Sequence, residues 1–178
     1  MTKVSADKSM ATMVYLSLGS NLGDREAHLL DARDRLTDIG RIAAVSSFYE
    51  TAPVEFIEQP WFLNCVVALE TDLTPQQLMR SILRIEEIMG RQRVLKKGPR
   101  LIDIDVLLFG DITLDSPEVT VPHPAMSERR FVLEPLAEIA PALRHPVSNK
   151  TILELCDSLP SGQRVRRIEN RSCPPKAQ

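Results

Sequence analysis

The hydrophobic residues of the chain follow two periods, and these periods predict strands and helices over most of its length. Four segments have the alternating or continuously apolar pattern of strands, namely Val14–Leu18, Ile42–Tyr49, Phe62–Thr71 and Leu101–Phe109. Two segments have the helical period, one following the N-cap candidate Asp24 and one running from Thr74 to Met89. The predicted order is βαββαβ, which is typical of a ferredoxin-like α+β fold with a mainly antiparallel sheet and helices packed on it.

The pattern beyond the fourth strand predicts a C-terminal helical extension of this core. Phe131–Ile139 has the pattern of an amphipathic helix that covers the sheet, and Thr151–Leu159 that of a last helix. Residues 1–12 are polar, and the chain from residue 161 onward is rich in arginine. We therefore expect a single domain over residues 13–160, a disordered leader over residues 1–12 and a flexible tail over residues 161–178.

The predicted order also brings most of the unusual polar residues to one end of the sheet. Each βαβ crossover returns a strand parallel to the one before it, and the hairpin between the second and third strands reverses direction. The first two strands therefore end where the last two begin. The segments expected to meet there are Gly19–Asn21, the loop Thr51–Pro60, Phe62, Asn64, the stretch from Glu86 to Arg100, Asp103 and Asp105.

Asp103 and Asp105 lie two residues apart in an otherwise apolar strand. Side chains two apart share a face of a strand, with Cα atoms about 6.6 Å from each other. Two such carboxylates repel each other unless a cation lies between them, and hard oxygen ligands suit Mg²⁺. The pattern favours a metal site, and the alternative is a pair of salt bridges to the neighbouring arginines.

The segment Arg91–Arg100 is a basic loop that carries five cations in ten residues between glycine and proline positions. Arginine forks match phosphate oxygens, and lysine adds positive charge. The composition therefore suits a mobile loop that closes on phosphates. The alternatives are a solvated basic loop and an RNA-binding patch.

Several single residues have both a functional and a structural interpretation. Phe62 and Asn64 share a strand face and suit a flat heterocycle, by stacking and edge hydrogen bonds, or else are a core ring and a capping amide. Glu86 is either a salt-bridge partner or a nucleotide contact. His123, held between two prolines, contacts a ligand such as phosphate or bonds a turn carbonyl. The turn Gly19–Asn21 taken alone is typical of an ordinary strand-to-helix connection.

The composition of the chain limits the classes of partner and the cellular compartment that we expect. The net charge is −2, from 22 basic and 24 acidic side chains, so bulk charge suggests neither a nucleic-acid nor a membrane partner. No apolar run approaches the ~20 residues needed to span a bilayer, and residues 1–12 lack the apolar region of a signal peptide. The three cysteines form no disulfide or metal-binding spacing, which fits a reducing compartment. We expect a cytoplasmic monomer.

These motifs together resemble the 6-hydroxymethyl-7,8-dihydropterin pyrophosphokinase family of folate biosynthesis. The segments that carry the resemblance are Leu18–Leu22, Val45–Tyr49, Phe62–Asn64, Arg84–Glu86, Gly98–Arg100, Asp103–Asp105, Leu108–Gly110 and Val121–Pro124. The resemblance implies an enzyme that moves pyrophosphate from ATP to the hydroxymethyl oxygen of the pterin and releases AMP.

The resemblance also implies roles for individual residues. It implies catalytic roles for Asp103, Asp105, Arg91 and Arg100, with the two aspartates binding two Mg²⁺ ions that bridge the phosphates of ATP. It implies that ATP is bound by Glu86, Arg91, Arg93, Arg100, His123 and Arg129. It implies that the pterin is bound by Thr51, Ala52, Val54, Phe62, Asn64 and Phe131.

Two other functions fit the same fold and are kept as alternatives. An RNA-binding module would carry exposed aromatic residues on the sheet, whereas aromatic residues make up only 4% of this chain. A metal-dependent phosphohydrolase would use the same aspartates to activate water. Formation of AMP from ATP in the presence of the reduced pterin would separate the kinase from both.

Overall fold

The main sheet of the chain is antiparallel and carries helices on both of its faces. The computed structural model describes residues 11–53, 58–91 and 99–168. In chain order the elements are β1 (Thr12–Ser20), α1 (Arg25–Leu36), β2 (Arg41–Val45), β3 (Phe48–Thr51), β4 (Phe62–Thr71), α2 (Pro75–Ile88), β5 (Asp103–Phe109), β6 (Leu114–Asp115), β7 (Thr120–Val121), a 3-10 helix (Met126–Glu128), α3 (Arg130–Ile139), α4 (Ile152–Asp157) and β8 (Val165–Ile168).

The main sheet has the strand order β5-β1-β4-β3-β8, and β2 also pairs with β4. β1 is antiparallel to both β4 and β5, and β2 is antiparallel to β4, so each crossover connects parallel strands as predicted. The register places Gly19 opposite both Asn64 and Asp103, and Thr51 opposite Phe62. The ferredoxin-like α+β prediction is confirmed, and those of the expected residues that the structure describes gather at one end of the sheet.

Different helices pack on the two faces of the main sheet. Leu16 and Leu18 of β1 lie on the first face, where they share a buried cluster with α1 and α2. Val66 of β4 and Leu107 of β5 lie on the second face, in a cluster with α3 and α4. Ser17 pairs with Asp105 in the register, so both belong to the second face by strand alternation. The end of the second face near these polar residues stays open and forms a cleft.

The described helices α1, α2 and α4 start at residues that cap them, Asp24, Thr74 and Thr151. The Asp24 side chain accepts a hydrogen bond from the Ala27 amide at 3.0 Å, and Thr74 forms a reciprocal capping box with Gln77. The structure contains the four predicted helices as α1, α2, α3 and α4, each within a few residues of its expected bounds. Among the described residues, no helix combines the length and the apolar character that a bilayer crossing requires.

The predicted second strand is divided into β2 and β3 at Ser46. The Ser46 hydroxyl accepts a hydrogen bond from the Val66 amide at 2.9 Å, and so a side chain replaces a backbone partner in the ladder. Ser47 and Tyr49, on the far side of the division, both donate to the Glu138 carboxylate of α3. Tyr49 donates at 2.6 Å, which ties the start of β3 to the helix that covers the second face.

The last strand, β8, was not expected from the sequence. The expectation of a flexible tail from residue 161 is wrong for Val165–Ile168, which pairs antiparallel with β3. Arg166 forms an ion pair with Glu50, and Arg167 forms one with Glu138. These ion pairs help to hold a strand whose sequence has no clear apolar alternation. β1 also begins at Thr12, inside the expected leader. Residues 1–10 and 169–178 lie outside the described residues.

Candidate active site

A cleft opens on the second face, where the ends of β1, β3, β4 and β5 meet. The site residues predicted from sequence that line it are Thr51, Ala52, Phe62, Asn64, Arg100, Asp103, Asp105, Arg129 and Phe131. Four further lining residues, Ser17, Gly19, Pro53 and Gln59, were not predicted as site residues. Val54 and Arg93, also predicted as site residues, lie outside the described residues.

Asp103 lies at the centre of a charged cluster at the mouth of β5. Its two carboxylate oxygens pair with Arg91 at 2.8 Å and with Arg100 at 2.9 Å. The salt-bridge alternative considered for the aspartates therefore describes Asp103 in this structure. Because both guanidinium groups are also suited to phosphate oxygens, an entering polyphosphate would compete with Asp103 for the same cations.

Glu86 lies beneath this cluster and is almost completely buried. Its carboxylate pairs with Arg91 and accepts a hydrogen bond from the Ile104 amide at 2.8 Å. Burial raises the pKa of Glu86, although the Ile104 amide and Arg91 oppose that change. Glu86 is therefore a salt-bridge partner here, and it joins α2, Arg91 and the start of β5 into one unit.

Asp105 lies farther from its charged neighbours than Asp103 does. His123 Nε2 and Arg129 each lie 3.9 Å from its Oδ2 atom, beyond hydrogen-bonding distance. Burial, followed by the negative charge of Asp103, raises the pKa of Asp105 to about 6. Asp105 thus presents oxygen atoms toward the cleft next to Asp103, which is the arrangement expected of a shared cation site.

His123 is held by its backbone and by one ring nitrogen. Its amide donates to the Leu107 carbonyl at 2.9 Å, and its Nδ1 atom accepts from the Ala125 amide at 3.1 Å. An accepting Nδ1 leaves the imidazole proton on Nε2, which faces Asp105. Burial lowers the pKa of His123, and the nearby Arg129 charge lowers it further. The ring is therefore held through Nδ1 by a turn amide rather than by the turn carbonyl of the structural alternative.

The other half of the cleft combines an amide with two aromatic rings. Asn64 is buried, and its Nδ2 atom donates to Thr51 Oγ1 at 2.8 Å. The Arg100 guanidinium lies 5.9 Å from the centre of the Phe62 ring. Arg129 lies similarly, 5.7 Å from the centre of the Phe131 ring. Such a pocket can stack a planar heterocycle and bond its polar edge, because rings and an oriented amide face the same space.

Asn21 holds two of the loops that border the cleft. It is buried, its Oδ1 atom accepts from the Arg100 amide at 2.8 Å, and its Nδ2 atom donates to Gln59 Oε1 at 3.1 Å. Nδ2 also lies 3.2 Å from the Pro60 carbonyl oxygen. The position of the Gly19–Asn21 turn was predicted, but this role was missed because the partners are distant in sequence.

Ser17 was missed although a local signal was available, and Gly19 was expected at this end of the sheet but not assigned to the site. Both lie on the β1 face that carries no leucine, and the register sets them opposite Asp105 and Asp103. A polar serine and a glycine at alternate positions of a buried strand mark the face where another group approaches. At Gly19 a Cβ atom would lie 2.7 Å from Asn64 Oδ1, so the glycine makes room for that amide.

The protein side chains at the start of β5 supply only some of the oxygen ligands that a magnesium ion needs, and a substrate would have to supply others. Within residues 11–53, 58–91 and 99–168, no group of three or more His, Cys, Asp or Glu side chains could hold a metal ion. Two carboxylates are nevertheless typical of Mg²⁺ sites in which water and substrate phosphates supply the remaining ligands. Asp103 and Asp105 meet that description.

Comparisons with known proteins agree with the geometry. The family model described as 7,8-dihydro-6-hydroxymethylpterin-pyrophosphokinase matches residues 15–141. The 2-amino-4-hydroxy-6-hydroxymethyldihydropteridine pyrophosphokinase of Methylorubrum extorquens is 44% identical over 161 residues, covering 89% of this chain and 99% of the relative. That of Pseudomonas aeruginosa is 46% identical over 140 residues, covering 77% of this chain and 86% of the relative.

Longer proteins share the same region. The folic acid synthesis protein fol1 of Schizosaccharomyces pombe is 42% identical over 84% of this chain, which spans only 21% of that relative's length. Among solved structures, an HPPK-DHPS of Plasmodium falciparum has a TM-score of 0.69 at 18% identity, covering 85% of this chain and 44% of that one, and it supports the fold alone. Since the family model matches most of the chain, this chain belongs to the 7,8-dihydro-6-hydroxymethylpterin pyrophosphokinase family.

Proposed function

We propose that the chain transfers pyrophosphate from ATP to the hydroxymethyl oxygen of 6-hydroxymethyl-7,8-dihydropterin, a step of tetrahydrofolate biosynthesis. The pterin hydroxyl oxygen attacks the β-phosphorus of ATP and releases its proton to solvent, the bond from that phosphorus to the oxygen bridging the α-phosphate breaks, and AMP leaves with that oxygen. The observation that carries the proposal is that an aspartate pair, arginines and an amide–aromatic pocket line one cleft.

In this proposal Asp103 and Asp105 hold two Mg²⁺ ions against the phosphates. The ions would neutralise phosphate charge, which is the main requirement of phosphoryl-transfer catalysis. Asp103 would then exchange its arginine partners for metal, and Arg91 and Arg100 would turn to phosphate oxygens. Their salt bridges of 2.8 and 2.9 Å already hold both guanidinium groups at the cleft.

The remaining assignments divide the cleft between the two substrates. Arg129 and His123 lie near Asp105 and are proposed for the ATP side, with Glu86 holding Arg91 in place. The residues proposed to hold the pterin also line the cleft, and they are Thr51, Ala52, Phe62, Asn64 and Phe131. Val54 and Arg93 are assigned by family resemblance alone.

We further infer that the enzyme works in the cytoplasm. Cys65 and Cys156 are buried free thiols, which fits a reducing compartment. The monomeric state stays a prediction, which size-exclusion chromatography with light scattering would test.

The function is tested by identifying the nucleotide product. Purified protein with ATP, Mg²⁺ and the reduced hydroxymethylpterin should release AMP and form the pterin pyrophosphate, as measured by chromatography and mass spectrometry. ADP or free phosphate as the product would instead support a phosphatase-type reaction. Absence of any turnover would contradict the proposal.

The metal assignment has its own test. Asp103→Ala or Asp105→Ala should reduce turnover by about a thousandfold or more, because two-metal neutralisation of the phosphates is lost. Both variants should keep the fold, as measured by circular dichroism, although Asp103→Ala also loses two ion pairs and should melt at a lower temperature than the wild type. Asp111→Ala, at an exposed position outside the cleft, is the matched control. Turnover near that of the wild type in either cleft variant would contradict the assignment.

A further inference from the structure

Gln163, which precedes β8, contacts the backbone on both sides of a cleft arginine. Its Oε1 atom accepts a hydrogen bond from the Arg130 amide at 2.7 Å. Its Nε2 atom donates to the Glu128 carbonyl oxygen, also at 2.7 Å. One carboxamide therefore fixes the two residues that flank Arg129, and it does so from a distant part of the sequence.

The start of α3 needs such a partner. Helix α3 begins at Arg130, and its N-cap residue Arg129 has an extended backbone and makes no capping hydrogen bond with its side chain. The first amides of a helix have no partner within the helix, so an external acceptor stabilises them. Gln163 supplies that acceptor for Arg130 and also donates to the carbonyl at the end of the preceding 3-10 helix.

The two hydrogen bonds of Gln163 influence where the side chain of Arg129 lies. Arg129 lines the cleft, lies over the Phe131 ring and is 3.9 Å from Asp105. Its own backbone turns from the 3-10 helix into α3, where its φ is −111° and its ψ is 104°. With both neighbouring residues held, the direction in which this side chain leaves the backbone is held as well.

The residues that follow Gln163 pair with a second part of the cleft lining. The carbonyl of the next residue, Arg164, accepts a hydrogen bond from the Ala52 amide at 3.2 Å, and Val165 pairs with Thr51. Thr51 and Ala52 line the cleft on the side proposed for the pterin. The segment from Gln163 to Val165 therefore connects the Thr51 wall to the Arg129 wall.

We propose that Gln163, just before β8, is a positioning residue that orients Arg129 toward the nucleotide. The inference rests on the proposed function for the identity of the nucleotide. The contacts themselves are independent of turnover, and so they can be tested by ligand binding.

The test is a double-mutant cycle on nucleotide affinity. The dissociation constant of Mg²⁺ with α,β-methylene-ATP is measured by calorimetry for the wild type, Gln163→Ala, Arg129→Ala and the double variant. Gln163→Ala should weaken binding about fivefold in the wild-type background and have almost no effect once Arg129 is absent, since coupled residues are non-additive. Equal effects of Gln163→Ala in both backgrounds, or none in either, would overturn the proposal.

Two further variants separate orientation from folding. Gln163→Glu keeps an acceptor for the Arg130 amide but cannot donate to the Glu128 carbonyl, so its affinity should lie between those of the wild type and Gln163→Ala. Arg167→Ala is the control, because Arg167 lies on the same strand but contacts Ser47 and Glu138. It should bind like the wild type, and a loss equal to that of Gln163→Ala would mean that β8 acts only through stability.

The same proteins distinguish this inference from the proposed function. A wild type that binds the analogue but makes no AMP would contradict the proposed reaction, while the cycle would still measure the coupling of Gln163 to Arg129. A wild type that fails to bind the analogue would contradict both.

Discussion

A single missing methyl group shapes the amide pocket of the cleft. Asn64 is 3% exposed and reaches Thr51 at 2.8 Å only because its neighbour across the strands is Gly19. A Cβ atom at that position would lie 2.7 Å from Asn64 Oδ1, closer than such contacts allow. The glycine is required here by close approach rather than by an unusual backbone angle.

Gly19→Ala should therefore disturb the pterin side of the site. We expect the Asn64 amide to shift, the hydrogen bond to Thr51 to break and the free energy of unfolding to fall by about 1–3 kcal/mol, as in overpacked cores. The KM for the pterin should rise while the KM for ATP stays close to that of the wild type, as measured by steady-state kinetics.

Gly162→Ala is the control for this substitution. A Cβ atom at Gly162 would meet nothing within 4 Å, so the added methyl group should leave both KM values unchanged. An unchanged pterin KM in Gly19→Ala would show that the close approach of Asn64 is unimportant for binding.

At the scale of elements, Glu50 joins three parts of the chain around β3. Its carboxylate pairs with Arg25 of α1 and with Arg166 of β8, each at 2.6 Å. The hydrogen bond from Arg25, and next that from Arg166, hold the pKa of Glu50 below its usual value of 4.5. The Glu50 side chain is 16% exposed, so solvent screens these ion pairs less than pairs on the open surface.

Glu50→Gln should change the pH dependence of stability. A carboxyl group whose pKa is lower in the folded state stabilises the protein above its unfolded pKa, and this stabilisation is lost as pH falls through the folded pKa. The difference in unfolding free energy between wild type and variant should be largest near pH ~7 and shrink below about pH 4.5. Urea denaturation across this range measures it.

Glu70→Gln is the matched control, because it breaks an ion pair to Arg41, whose side chain is 69% exposed. We expect a smaller effect on the free energy of unfolding there, as is usual for surface pairs. A difference between wild type and Glu50→Gln that stays constant from neutral to acid pH would contradict the role assigned to Glu50.

At the scale of the whole molecule, β4 crosses the centre of the main sheet and has packed side chains on both sides. Cys65, Val67 and Leu69 belong to the cluster under α1 and α2, and Val66 belongs to the cluster under α3. Cys65 is 1% exposed, and burial raises the pKa of its thiol to about 12. Because the thiolate is the reactive form, this thiol is protected twice, by access and by protonation.

Labelling of Cys65 should therefore report unfolding of the entire sheet. With iodoacetamide near neutral pH we expect no modification of the Cys65 peptide in the native protein and full modification in urea, as measured by mass spectrometry after digestion. The labelling midpoint in urea should coincide with the unfolding midpoint from circular dichroism. Labelling well before that midpoint would show that β4 opens locally.

How much of the molecule could be predicted depends on how local each signal is. Asp103 and Asp105 were found because strand alternation alone sets their common face, and the strand order alone brings them to Thr51 and Asn64. β8 was not found, because its sequence has two arginines in four residues and its partner strand is far away. Gln163 was missed for the same reason, since nothing nearby shows that α3 lacks its own cap.

The pairing of β8 with β3 has a consequence for how the protein is made. During translation β3 is synthesised early, and Arg166 is added 116 residues after its partner Glu50. Throughout that interval the outer side of β3 has no neighbour, and it is open to pairing with other chains or to chaperones. The wall of the cleft at Ala52 thus becomes complete late in translation, after the core around β4 has been supplied.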